Sequence, residues 1–252
     1  MNDERAGIRN LEEIIEYVIA PGLKREGFRK RRHSWNRKRG EFVEAITIEK
    51  SKYCGPEYDA FTMSAGIFIP WMHEAVWHKQ PSFVTEVFCQ VRARIGEIVG
   101  GFERRAPDKW WTPNHRGDYR AVGDEMGQLV LSHVLPFLAS FKTMEDVHSF
   151  LDGELKYVIR DAHRTINLAL VKKTLGDTQG AVEALTTFIN RKPGGWAERA
   201  KEVLERYIIG ERVGPVTQQA TGLVKLPEGK SDRELVEEAL AKRHNTRRNG
   251  NK

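Results

Sequence analysis

The stretch from residue 60 to 70 limits the possible folds more than any other part of the chain. Phe61, Met63, Ala65, Ile67 and Ile69 alternate with Thr62, Ser64 and Gly66, and a strict period of two fits a strand with one buried face. Such a strand needs partners, and they stand just upstream. Phe28 to Arg37 and Phe42 to Lys50 read as extended runs joined around Arg39-Gly40, where glycine supplies the positive φ of a tight turn. Three antiparallel strands in a meander follow from this spacing.

Helical periodicity surrounds the meander. Over residues 9–26, Leu11, Ile14, Ile15, Val18 and Ile19 share a stripe, with Glu12, Glu13 and Glu16 opposite, and the helix should end near Gly22 or Gly27. Pro70 to Pro81, with Trp71, His73, Trp77 and His78, reads as a loop. Phe83 to Ile98 reads as a helix stopped by Gly100-Gly101, and Arg104 to Tyr119 as an ordered loop. A long apolar helix is predicted from about Val122 to Leu138, ended or kinked by Pro136. Thr143, with Asp146 three residues on, should cap a short helix through Leu151. From Lys156 to Gly210 the pattern is helical. A Pro- and Gly-bearing segment then leads to a last helix, opened by Ser231 or Asp232 and running to about Arg243, and to a disordered end.

The predicted fold class is therefore α+β: a three- to four-stranded antiparallel meander packed with helices, followed by an all-helical C-terminal region. The predicted domains are an α+β domain over 1–152, a helical hairpin region over 153–210, and a linker, one helix and a basic tail over 211–252.

Two segments carry resemblances to known families. Leu23 through Phe28-Arg29-Lys30, Ile46 to Ser51, Phe61 to Pro70, Trp110-Trp111, and Val134-Leu135-Pro136 followed by Thr143 to Leu151 stand in the order of a bacterial domain-of-unknown-function family, number 4304. About residues 8–151 resemble it, which implies a compact α+β domain and transfers no catalytic residue. Ala169, Gly176, Ala181, Leu185, Phe188 and Pro193 resemble a tetratricopeptide repeat over about 162–195, with small residues where two antiparallel helices touch; Thr165 and Lys172 depart from its aromatic positions. Trp196 to Ile208 could open a second, incomplete unit. A solenoid needs about three repeats to stand alone, so the hairpin is expected to dock on the N-terminal domain.

Chemistry-bearing motifs are scarce. His73 and His78 stand five apart, which on a helix sets the rings about 140° from each other, too far round to share one metal ion; they read as a surface loop. Asp108 with Glu154 and Lys156 is superficially similar to a magnesium nuclease set, but the elements fall in a loop and at a helix start instead of on adjacent strands. Gly-rich phosphate loops, dinucleotide fingerprints and nucleophile elbows are missing from the sequence. No catalytic residue, metal or cofactor is expected. Cys54 and Cys89 lack metal-ligand spacing and read as reduced thiols. No apolar run approaches the ~20 residues of a membrane span, and the charged N-terminus lacks a secretory core, so the expected compartment is the cytoplasm.

Charge carries the functional expectation. The net charge is +6, and Lys24, Arg25, Arg29, Lys30, Arg31, Arg32, Arg37, Lys38 and Arg39 crowd one stretch with Glu26 as its acid; Lys242, Arg243, Arg247, Arg248 and Lys252 close the chain. A charged ribbon of this kind either protects a sheet edge or grips phosphates, with Trp35 and Phe42 stacking on bases. Trp71, Trp77, Trp110 and Trp111 fall in two predicted loops and either cap a core or form a partner patch. The favoured expectation is a non-enzymatic protein-binding module, through the tryptophans or the concave side of the helical hairpin. The alternative is a nucleic-acid binder using residues 24–39 and the tail, and the third is an enzyme with an unrecognised site. Partner identity and oligomeric state stay open.

Overall fold

The computed structural model describes residues 10–54, 59–103, 107–113, 119–153, 161–191 and 194–210. These fall into two compact units. One takes the described residues up to His73 and from Lys79 to Lys142, and the other takes Glu74–His78, Thr143–Gly153 and those from 161 onward.

The first unit is built on a five-stranded antiparallel sheet in the order β1-β2-β3-β4-β5: β1 Arg29–Arg31, β2 Ser34–Arg39, β3 Phe42–Lys50, β4 Phe61–Phe68 and β5 Val91–Arg94. Alternation sorts its side chains. Trp35, Ile46, Ile48, Met63, Ala65, Ile67, Val91 and Ala93 share register rows on one face and are buried. Ser34, Thr47, Ser64 and Arg94 form a row on the other. The meander is larger than predicted at both edges. Phe28–Arg37 folds back on itself at Arg32, whose φ of 55° makes a two-residue turn between β1 and β2. The predicted helix over 83–98 is instead a short 3-10 turn (Glu86–Phe88), strand β5 and a short helix α4 (Ile95–Val99). The alternation of Val91, Arg92, Ala93 and Arg94 favours a strand, and β4 offers the free edge that completes it.

Strand β4 is buried on both faces. Thr62 donates to the Lys109 carbonyl at 2.8 Å, and Asn36 on the same face donates to the Val84 carbonyl at 2.8 Å. Gly66 has no room for a Cβ, which would fall 2.7 Å from that of Cys89.

Helix α1 (Leu11–Ile14) runs through a π segment (Ile15–Ile19) into α2 (Ala20–Arg25). It ends in a Schellman closure, with Phe28 N–H donating to the Leu23 carbonyl at 2.9 Å and Gly27 at φ 84°. α5 (Tyr119–Leu129), a π segment (Val130–Val134) and α6 (Leu135–Ser140) form one continuous run. Pro136 does not end it. Proline removes an amide and crowds the carbonyl one turn earlier, and the wider π turn, closed by Leu135 N–H to the Val130 carbonyl, stands immediately before it. The same device precedes Pro21, where Ala20 N–H reaches the Ile15 carbonyl. Gly123 and Gly127 admit Ile14 and Val18 at close range, so the two runs cross tightly.

Pro70–Trp77 is a helix, α3, not the predicted loop. Proline is tolerated in a first turn, and Met72, Ala75 and Val76 give it a buried stripe.

In the second unit, Thr143 caps α7 (Met144–Asp152) as predicted: its hydroxyl accepts from Asp146 N–H at 3.3 Å, and Asp146 accepts from Thr143 N–H at 2.9 Å. Helices α8 (Asp161–Thr174) and α9 (Thr178–Arg191) turn at Gly176, φ 89°, and α10 (Gly195–Val203) continues as a π segment (Leu204–Ile208). Ala169, Ala181, Leu185, Ala200 and Ile208 are fully buried. The predicted linker, last helix and basic tail over 211–252 lie outside the described residues, as do Pro193, Glu154 and Lys156.

Candidate functional site

The cations of residues 24–39 divide into two groups. Arg37 and Arg39 are held by Glu44, whose side chain is 1 % exposed: Arg37 Nε donates at 2.5 Å and Arg39 Nη1 at 3.1 Å. Arg37 also donates to the Glu26 carbonyl oxygen and lies 4.5 Å from the centre of the Phe28 ring. These two arginines are structural.

The other group faces outward. Arg29, Lys30 and Arg31 make up β1, the edge of the sheet, and all three are exposed. Arg32 at the turn, Lys38 on β2, and Lys24 and Arg25 at the end of α2 are exposed too. None of the seven has an ion pair among the described residues; Arg31 donates to the Ser82 hydroxyl at 3.2 Å and lies over Phe83. The stacking role predicted for Trp35 and Phe42 fails, because they are 1 % and 7 % exposed and belong to the core.

The four tryptophans of the predicted patch differ in their surroundings. Trp111 is 4 % exposed, bridges Phe61 and donates to Glu125 at 2.8 Å. Trp110 is exposed, donates to Asp108 at 3.0 Å and stacks near Arg94. Trp71 is half-buried on α3, and Trp77, on the same helix, packs edge-on to His163 and Trp196 with Arg199 over its ring.

A buried polar centre, which nothing in the sequence announced, lies on the polar face of the sheet. Glu86, 1 % exposed, accepts from Arg92 at 2.9 Å, and Ser64 donates to Glu49 at 3.0 Å. Burial pushes the Glu86 carboxyl above its ordinary range against the pull of Arg92, and Glu49 adds to the rise. Burial also lifts the Cys89 thiol well above its usual range, so it is no thiolate nucleophile at neutral pH. His73 is not on a surface loop. It is buried between Phe68 and Phe88, and that burial lowers its pKa. Among the described residues, no group of three or more His, Cys, Asp or Glu could hold a metal ion, and no helix is long and apolar enough to cross a membrane.

The matched part of the chain is the part that holds these features. Residues 19–140 match the family model described as Domain of unknown function (DUF4304). No curated protein and no solved structure matches the chain. The matched segment contains the five strands of the sheet, the basic edge, the Glu86 centre and the α5–α6 run. It is narrower than the resemblance over 8–151 and leaves out α7.

Proposed function

We propose that this chain is a non-enzymatic binding module that holds an acidic protein partner along the β1 edge of its sheet. One observation carries the reading: seven cations from Lys24 to Lys38 are exposed without an ion pair among the described residues, while their neighbours Arg37 and Arg39 share the buried Glu44 carboxylate. Edge protection calls for charge on the edge strand itself, whereas four of the seven, Lys24, Arg25, Arg32 and Lys38, stand off β1. A concentration this dense raises the local field and speeds encounter with acidic surfaces. Trp35 and Phe42 lie in the core and are not available to stack on bases, which supports a protein partner over DNA or RNA in this reading. The tetratricopeptide-like reading of α8 and α9 belongs to the same proposal. It is supported by Ala169 and Ala181, small and fully buried on those two helices.

The test is fluorescence anisotropy with labelled poly-glutamate and with single- and double-stranded DNA and RNA at two salt concentrations. Both the native chain and a variant carrying Arg29→Ser, Arg31→Ser and Arg32→Ser are measured. Binding of the acidic polypeptide, weakened about tenfold or more in the variant, supports the proposal. Equal binding by both proteins defeats it. Tighter binding to nucleic acid, with log K falling linearly in log salt, would move the function to nucleic acid.

A further inference from the structure

Two depressions meet at Leu131, between the α5–α6 run and the cations at the ends of α2 and β2. The larger, an open groove of about 650 Å³, is lined by Leu131, Leu135 and Pro136 together with Lys38 and Arg39. The smaller, a cleft of about 210 Å³, opens where the α1–α2 run crosses α5, between Val18, Leu23 and Gly127. Leu131 lines both, and it is 58 % exposed, one of the most exposed large apolar side chains described. Gly127 lets the two helical runs approach closely at the end of the cleft, where a Cβ would meet Val18 at 3.1 Å.

Leu131 and Leu135 are one helical turn apart, so an apolar stripe runs along the floor from cleft to groove. Around it stand Arg25 on the cleft and Lys38 on the groove, both exposed and without an ion pair among the described residues. Of the acids lining the pair, Glu26 is bound to Arg37 at 3.5 Å, and Asp124 faces the smaller cleft. Apolar floor and cationic rim together fit an acidic amphipathic helix. Its leucine-like side chains would enter at i and i+4 while its carboxylates meet the rim, as in helix-in-groove recognition.

We infer that the Leu131–Pro136 groove is the docking site for an acidic amphipathic helical segment of the partner protein. This rests on the reading of the chain as a protein-binding module and adds the apolar half of the interface, which the charged edge cannot supply.

The probes are two fluorescein-labelled sixteen-residue peptides of equal negative charge, one with leucine at i, i+4 and i+8 among glutamates, the other with serine in place of leucine. The leucine peptide is expected to bind the native protein about tenfold more tightly, the effect of burying one leucine side chain. Leu131→Ser, at an exposed position, should abolish that preference while leaving serine-peptide binding unchanged. Equal affinity of the two peptides, or a preference that survives Leu131→Ser, overturns the groove. The Arg29, Arg31 and Arg32 variant separates the two ideas: if it binds both peptides as well as the native protein does, the edge reading fails, and the leucine preference still reports on the groove.

Discussion

Glu44 sits between Arg37 and Arg39 with almost no contact with water, and this one carboxylate converts two of the crowded cations into framework. Removing one partner from a buried ion pair leaves the other desolvated and unmatched. Glu44→Ala should therefore cost about 3 kcal/mol, measured by urea denaturation at pH 7; a loss under half of that would show that water and the existing contact with Glu26 are enough to hold Arg37. Two further side chains set the pH response with opposite signs. His73 has its pKa lowered by burial from 6.5, so the stability it supports is present above 6.5 and is lost as pH falls through the folded value. Glu86 has its carboxyl raised by burial from 4.5, so its contribution is full below 4.5 and is lost as pH climbs through the folded value. Glu86→Gln should then gain stability relative to the native chain as pH rises from 4.5, and denaturation midpoints across a pH series would run parallel if this were wrong. His73→Gln should flatten the loss below 6.5 in the same series. None of these roles was legible in the sequence. A cluster of basic residues looks uniform along the chain, and only pairing across β2 and β3 shows which arginines face a buried acid. Trp35 misled for the same reason, since its burial is set by Ile46 opposite and not by its charged neighbours.

The strands were more readable than the helices. Period two in β4 survived intact, and its pairing with β3 runs from Val43–Phe68 to Lys50–Phe61. What the sequence concealed was cover on the second face, because Thr62, Ser64 and Gly66 look solvated in one dimension. Gly66→Ala tests that cover: the added methyl meets Cys89 and the β5 backbone, and overpacking of this kind destabilises by about 2 kcal/mol. Thermal denaturation reads it, and an unchanged midpoint would mean that the loop over β4 yields freely. In the helices a signal was present and unread. Leu11, Ile15, Ile19 and Leu23 are buried at steps of four, and so are Met126, Val130, Val134 and Leu138. On an ideal α-helix each such step drifts about 40°, so a stripe of fours should wander off the core. The π turns before Pro21 and Pro136 take up that drift. α3 and β5 were misread because short apolar runs between prolines do not declare their period until a neighbour fixes them.

Two cores make two sets of packing energies. Phe188 is buried in the helical unit, and Phe188→Ala should remove about 3 kcal/mol there. In native-state hydrogen exchange, protection should fall in α8 to α10 and persist in β3 and β4; equal loss in both would mean a single cooperative molecule. The periodicities along the sequence placed the chain among α+β proteins, and composition added only that it is globular. Composition could not divide the positive charge into a paired part and an outward part, because that division depends on the register of β2 against β3 and on β1 standing at the edge of the sheet. That position has a further effect, on how copies of the chain meet in solution. An edge strand offers unpaired backbone groups that any other edge could extend, and here two copies approaching edge to edge bring Arg29, Lys30 and Arg31 against their own likeness. Their repulsion reaches only about 10 Å at 0.1 M salt and shrinks to about 3 Å at 1 M. The chain should thus stay dispersed in dilute buffer and begin to cluster as salt is raised, the reverse of its grip on an acidic partner.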